Sequence, residues 1–447
     1  MSTKRCYDNS EDEATSKSSK FDNLLFVPPV QPLNTKKLPN EVWLKIFQNL
    51  SVQDILLNVA RVCQHFLMLS KDWRLFKEIK VNKMVESINK YKMFETIGGF
   101  KNLQKFTICC KEQEDFDDGF KYKYAEDVSI LVWNILKKCP KLKNLKVQDF
   151  IGEFDEFDCN HASELINNIA KYGQNLEVLH LDMDNTIVEE PMSALAKLKN
   201  LREFHLLLDG YVNSTTDDYL VTLGDNCKNL KSVSLVIQRI MINSLLLFLT
   251  KKKDVLEKLD LRINIENGTH RDMITDAISE IKLKSLDLIL GGNGLYYADC
   301  ERIFVNNKME KLENLMIHVK SFDDTLQIFI NKCPGLVNLE LLQTRKVVSL
   351  EDEPWEFKSI QNTFNRLPNL KKLVLIRHFE RRRFDAMHIE LTKFTLKEIT
   401  RKCKKPLKIE VDQDEHDFTD YNDYRDESRD DDDFDGYTKM TITIKEK

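Results

Sequence analysis

The sequence predicts an α/β solenoid, a stack of short parallel strands alternating with helices, placed behind a small all-helical module. Three observations predict it. An apolar phrase recurs along most of the chain, helix-length stretches separate its copies, and a compact early segment carries apolar residues at helical spacing only.

The 447 residues allow one small module plus a long repeat array. Apolar residues make up 42% and charged residues 31%, an ordinary balance for a water-exposed protein. The net charge of -5 does not suggest nucleic-acid binding by the chain as a whole. The first twenty residues carry no apolar stretch of the kind a secretory signal needs. The most apolar run, Ile240 to Leu249, is too short for a bilayer and is interrupted by Asn243 and Ser244. The expectation is an intracellular protein, cytoplasmic or nuclear, with neither nucleic acid nor membrane as partner. Ten scattered cysteines without a C-x-x-C argue against a zinc ribbon and for buried free thiols.

Residues 1–36 form a polar leader ending in Val27-Pro28-Pro29-Val30-Gln31-Pro32. Its prolines exclude regular helix and central strand, so the leader is expected to be disordered or loosely attached. Residues 37–80 form the helical module. Pro39 suits a first helical position, and Val42, Ile46 and Leu50 recur at fours. After a polar break at Ser51-Val52-Gln53-Asp54, one second helix carries Leu56, Val59, Val62, Cys63 and Phe66 as its apolar stripe.

From residue 81 to 411 the phrase L-x-x-L-x-L, with apolar substitutions, recurs ten times. It opens with Leu103/Phe106/Ile108 and Leu142/Leu145/Val147, and closes with Leu336/Leu339/Leu341 and Leu370/Leu373/Leu375. Subtracting first positions gives spacings of 24 to 39 residues, most of them near the roughly 20–29 of leucine-rich repeats. Within each phrase the last two apolar residues alternate, as in a strand with one buried face. Helix-like stretches intervene at Glu164 to Tyr172, Met273 to Ile281 and Thr325 to Lys332. One strand and one helix cannot bury their own apolar faces, but a stack of such pairs shares a continuous core. The fold expected is therefore a leucine-rich-repeat solenoid, a horseshoe of short parallel strands and helices, with a three-helix module before it.

The module resembles the F-box. The resemblance is carried by Leu38-Pro39-Asn40-Glu41-Val42-Trp43-Leu44-Lys45-Ile46-Phe47-Gln48-Asn49-Leu50, then Asp54, Leu56, Val59, Val62-Cys63, Phe66 and Trp73. It implies docking onto a Skp-type adaptor and, through that adaptor, onto a cullin. Leu38, Pro39, Glu41, Ile46, Phe47 and Leu50 match the positions that face the adaptor, with Leu56, Val59, Cys63 and Trp73 as further candidates. The repeats resemble the cysteine-containing class of F-box leucine-rich-repeat proteins, on the phrases Cys139-Pro140-Lys141-Leu142, Cys227-Lys228-Asn229-Leu230 and Cys333-Pro334-Gly335-Leu336. Each cysteine is read as a small buried thiol where a helix hands over to a strand. The chain departs from the wider repeat pattern. Three residues after the last strand leucine, Asn occurs once, at Asn264, so the usual ladder of buried side-chain hydrogen bonds is not expected. The family resemblance implies the substrate-recognition subunit of an SCF-type ubiquitin ligase, with an unidentified protein as substrate. The alternative is a scaffold that binds the adaptor without supporting ubiquitination.

Residues between the buried strand positions should line the concave face. The central one of each repeat is Thr107, Lys146, His180, His205, Ser234, Asp260, Asp287, Met316, Glu340 and Val374. Basic or titratable groups come first and acidic ones later, which makes Lys146, His180, His205, Asp260, Asp287 and Glu340 the candidate substrate contacts. Residues 412–447 form an acidic tail. Thirteen Asp/Glu and two Arg between Asp412 and Asp435 give it a charge of -11. The tail ends in the alternating strand pattern Met440-Thr441-Ile442-Thr443-Ile444, which is expected to cover a solenoid edge near Leu407-Lys408-Ile409-Glu410-Val411.

No phosphate loop, dinucleotide fingerprint, nucleophile elbow or zinc-protease motif is present. No catalytic residue, metal ligand or cofactor is therefore assigned. Gly291-Gly292-Asn293-Gly294 reads as a turn after a repeat strand rather than a phosphate cradle.

Overall fold

The computed structural model describes residues 38–50, 54–82, 101–109, 118–151, 161–184, 187–208, 212–213, 218–237, 240–265, 267–291, 294–305, 309–320, 322–347, 363, 365–380, 407–414 and 435–444. The leader, the acidic run between 415 and 434, and Arg381, Arg382 and Arg383 lie outside them. The chain divides into two compact units, Met1–Lys77 and Glu78–Lys447.

In the first unit α1 spans Asn40–Phe47. Pro39 is its N-cap rather than its first helical residue: ψ is 152°, and its carbonyl accepts the N–H groups of Val42 and Trp43 at 3.0 and 3.3 Å. Glu41 lies in the first turn, where a carboxylate favours the positive end of the helix. Ile55–Val59 winds as a π-helix into α2, Ala60–Val62. The single second helix expected from the apolar spacing is broken at Cys63, which is extended (φ -163°, ψ 168°). The chain restarts as α3, Gln64–Leu69, with Cys63 Sγ accepting the N–H of Phe66 at 3.4 Å. A thiol that caps a helix serves one of the orphan donors at its start. The core gathers Leu44, Phe47, Ile55, Phe66 and Leu69. Phe47 and Phe66 meet edge-on at 5.1 Å between ring centroids, and Trp43 meets Phe66 at 4.6 Å.

Among the described residues the second unit is built on a sheet of thirteen strands. In chain order the strands are β1 Glu78–Asn82, β2 Lys105–Cys109, β3 Asn144–Ile151, β4 Val178–Asp184, β5 Ile187–Val188, β6 Glu203–Leu208, β7 Val212–Asn213 and β8 Ser232–Ile237. There follow β9 Lys258–Ile263, β10 Ser285–Leu290, β11 Asn314–Val319, β12 Asn338–Val347, β13 Lys372–Glu380, β14 Leu407–Asp414 and β15 Asp435–Ile444. From β1 to β13 the main sheet is parallel in chain order, with β5 and β7 set aside as a separate pair. The ten phrases coincide with β2 to β13, the β5–β7 pair apart. β1 is an eleventh parallel strand carried by an eleventh phrase, Phe76/Ile79/Val81, which the count of ten passes over, and it lies astride residue 80.

Helices α4 Asp118–Lys138, α5 His161–Tyr172, α6 Glu189–Ala194, α7 Asp218–Asn226, α8 Ile242–Lys252, α9 Gly268–Ser279, α10 Tyr297–Phe304 and α11 Phe322–Lys332 return the chain between strands. No helix among the described residues is long and apolar enough to cross a membrane.

Stacking explains the core. The first apolar strand position of each repeat lies beside the next in register, as Leu259↔Leu286↔Leu315↔Leu339↔Leu373, and the second likewise, as Leu261↔Leu288↔Ile317↔Leu341↔Leu375. All ten are at most 2% exposed. Burying one such side chain favours folding by roughly 1.5–3 kcal/mol, and here each burial needs both flanking repeats. Phe304 and Phe329 interlock edge-on between α10 and α11, 5.2 Å apart. Cys139, Cys227 and Cys333 are 1% exposed or less, each directly after a helix, and Cys227 Sγ donates to the carbonyl of Leu198 at 3.4 Å.

A repeat-to-repeat hydrogen-bond ladder does exist, displaced to the turns before the strands. Asn175 Nδ2 donates to the carbonyl of Pro140 and Asn200 Nδ2 to that of Gln174, each at 3.0 Å. At the far end β15 is antiparallel to both neighbours and lies between β13 and β14. It pairs with Leu407–Asp414, as the tail pattern suggests, but it starts five residues before that pattern and separates β14 from the solenoid proper.

Candidate functional site

Two surfaces bring the candidate residues together, one on each unit. On the first unit, Leu38, Val42, Ile46 and Leu50 are 41, 38, 42 and 39% exposed. Four-residue steps put them on one side of α1 and its ends, the side opposite Leu44 and Phe47. The unit thus keeps one apolar stripe buried and a second in water. Val42 belongs to the exposed stripe although the motif match does not single it out; the spacing of four shared with Ile46 is the signal that finds it.

Phe47 stands apart from the other matched positions. It is 2% exposed and packs against Phe66, because at one residue past Ile46 it has turned about 100° around the helix. Its place is in the unit's own core. Val59 and Cys63 are half-buried, and Cys63 acts as a cap. The side chains of Leu56 and Trp73 lie outside the described residues.

On the second unit the central residues fall on one line across the sheet. The register runs Lys80↔Thr107↔Lys146↔His180↔His205↔Ser234 and on through Asp260↔Asp287↔Met316↔Glu340↔Val374. The side chains from Thr107 to Glu340 are half-buried on the open face of the sheet, opposite the Leu/Ile core. Val374 departs from the others. It is 1% exposed, clustered with Leu342 and Ile376, so the accessible row stops short of β13.

The row is less sharply graded than its sequence implies, because neighbouring rows neutralise it. His180 Nε2 lies 2.6 Å from Glu203 Oε1, and that hydrogen bond holds the Glu203 carboxyl below its usual range. The rings of His180 and His205 are 5.2 Å apart. Burial first, and His180 second, push His205 down to about 4, so His205 is a neutral imidazole near pH 7. Arg262 donates through Nε to Asp260 at 3.1 Å and through Nη2 to Asp287 at 2.6 Å, while the Ser234 hydroxyl donates to Asp260 at 2.7 Å. Burial and the adjacent Asp260 nonetheless raise Asp287 to about 6. Arg262 stands one alternation along from the central row, a place that a list of central residues passes over.

Among the described residues no group of His, Cys, Asp and Glu is arranged to hold a metal ion. The thiols of Cys227 and Cys333 are pushed up by burial to about 11 and about 12, which suits packing rather than nucleophilic attack.

The exposed stripe beside a buried aromatic core agrees with the comparison of the chain with protein families. Residues 35–81 match the F-box-like family. The chain therefore carries an F-box-like domain followed by a solenoid of stacked strand-and-helix repeats. Among solved structures it is similar to a chain in the crystal structure of the yeast Rad7 and Elc1 complex. Identity is 16%, with 74% of this chain and 87% of that chain covered, at a TM-score of 0.41. No curated protein sequence matches the chain.

Proposed function

We propose that the chain is a substrate receptor of an SCF-type ubiquitin ligase. Its F-box-like domain docks a Skp-type adaptor, and its solenoid holds the substrate protein. The observation that carries the reading is the exposed stripe of Leu38, Val42, Ile46 and Leu50 within the F-box-like match. Four apolar side chains left in water along one helix face are a surface for a partner helix or groove. Pro39 and Glu41 set the start of that helix and belong to the same docking surface. The role is non-catalytic in this reading. The receptor raises the local concentration of substrate near a ubiquitin-charged partner, which needs placement and no reactive side chain.

The test is co-expression with a Skp-type adaptor and a cullin, followed by pull-down of the native chain, Ile46→Asp and Val42→Asp. Both sites are exposed, so the variants should fold. The expected result is adaptor and cullin recovered with the native chain, with adaptor binding at least tenfold weaker for each variant. Equal recovery by all three chains would sink the reading. Recovery of adaptor without cullin would leave the non-ubiquitinating scaffold.

A further inference from the structure

The turns that lead from each helix into the next strand form one edge of the second unit. From β3 to β10 this edge is strongly basic. In the six turns 140–143, 174–177, 199–202, 228–231, 253–257 and 280–284, nine Lys or Arg stand against four carboxylates, those of Glu177, Asp254, Glu257 and Glu280. The cations fall into two rows.

The inner row directly precedes the strands and is internally paired. Glu177 accepts Lys143 at 2.7 Å with Arg202 at 3.8 Å, and Glu257 accepts Lys231 and Lys284 at 2.7 Å each. Two carboxylates thus serve four cations, and Glu257 is driven down to about 2 by its two lysine hydrogen bonds. The outer row is Lys141, Lys199, Lys228, Lys253 and Lys282, all exposed. Lys141 donates to the neutral Asn102 side chain at 2.7 Å. None of the five has an ion pair among the described residues.

Lysines within a last helical turn would be explained by the helix dipole. Lys253 is the C-cap of α8, but Lys141, Lys199, Lys228 and Lys282 lie beyond the helix ends, and successive strands are only about 4.8 Å apart. Concentrating like charge at that spacing costs energy, and the two carboxylates left in these turns, Asp254 and Glu280, are outnumbered by the five lysines. The edge is also concave. A groove of about 450 Å³ is lined by Lys141, Lys143, Arg202 and the single carboxylate Glu177, with Asn175, Asn200 and Asn229 between them.

We propose that this basic edge docks an acidic segment of a partner protein, a run of Asp and Glu. It is a second interaction surface, independent of the adaptor helix and of the open face. Carboxylates spaced along an extended chain can meet the outer lysines. A nucleic acid fits less well. A single-stranded nucleic acid needs open aromatic faces for its bases as well as cations for its phosphates. The neighbouring aromatic faces are occupied, with Lys137 Nζ over Trp133 at 4.8 Å and Lys171 Nζ over Tyr172 at 5.0 Å.

The test is fluorescence anisotropy of the full chain with three labelled probes: a ten-residue Glu/Asp peptide, the same length of Lys peptide, and a single-stranded oligonucleotide of equal charge to the acidic peptide. The native chain is compared with K199E/K228E/K253E. These sites are exposed and form no ion pair among the described residues, and unchanged thermal unfolding would show that the variant folds. The acidic peptide should bind the native chain, weaken as salt rises, and bind the variant at least tenfold less tightly. The Lys peptide should not bind. Three outcomes would each overturn the proposal: no acidic-peptide binding, equal binding by the folded variant, or tighter binding of the oligonucleotide. Adaptor recovery by the same variant is expected to be unchanged, so this result stands or falls apart from the ligase reading.

Discussion

Arg262 on β9 reaches across to Asp287 on β10, with 2.6 Å between Nη2 and Oδ2, while its Nε holds Asp260 on its own strand at 3.1 Å. One guanidinium thus separates two carboxylates that stand side by side in register, each side chain less than a third exposed. The arrangement makes the middle of the open face a preorganised network rather than a bare acidic patch.

Removing that guanidinium should be costly. Arg262→Ala leaves Asp260 and Asp287 facing each other without their shared cation, and about 1–3 kcal/mol of stability at pH 7.5 is expected to be lost. Adding Asp287→Asn should recover most of the loss. Urea unfolding of the two variants checks this, and a double variant no more stable than the single one would contradict it.

The pH profile follows from two groups with opposite signs. His205 titrates at about 4 when folded against 6.5 when unfolded. Its contribution is therefore present above 6.5 and lost as pH falls towards 4. Asp287 titrates at about 6 when folded against 3.8 when unfolded. Its contribution is present below 3.8 and lost as pH rises through about 6. Between pH 7 and 5, His205→Gln should consequently lose less stability than the native chain on acidification, and Asp287→Asn should lose more. Melting temperatures of the three chains across that range measure it; parallel curves would show that neither side chain is buried as described.

The buried thiols should be silent. Cys227 and Cys333 combine burial with raised pKa, so labelling by a thiol-specific disulfide reagent at pH 8 is expected to be at least a hundredfold slower in the folded chain than in urea. Peptide mapping after labelling identifies the sites, and rapid native labelling of either cysteine would count against the close helix-to-strand corner.

Gly291 closes β10 with φ at +77°, and a Cβ there would sit 2.9 Å from the carbonyl oxygen of Ile265. Both the backbone sign and the contact oppose any side chain, so Gly291→Ala should destabilise by about 1–3 kcal/mol. Chemical denaturation gives the value directly. A neutral result would mean that the turn relaxes into another conformation.

Much of the molecule was open to reading from the residues alone. The L-x-x-L-x-L phrase determined the parallel stack, because the same alternation in every repeat can be buried only against its neighbours. It also determined the row from Thr107 to Val374, since equivalent positions in stacked repeats share a register. The spacing of Val42, Ile46 and Leu50 determined a helix with an apolar side, and the cysteines before Leu142, Leu230 and Leu336 marked buried corners. Tertiary structure decided what lies beside each of these. Phe47 entered the core while Ile46 stayed in water, because Phe66 arrives on one side of α1 only. Cys63 ended a helix that its apolar spacing would have continued. Arg262 met Asp287, and Val374 was buried with Leu342 and Ile376, through contacts between strands more than twenty residues apart in sequence. The basic edge likewise emerged only when the helix-to-strand turns were brought side by side. Periodicity within a segment fixes which face of that segment is apolar, but the partner of a given side chain depends on residues that only the stacked fold makes neighbours.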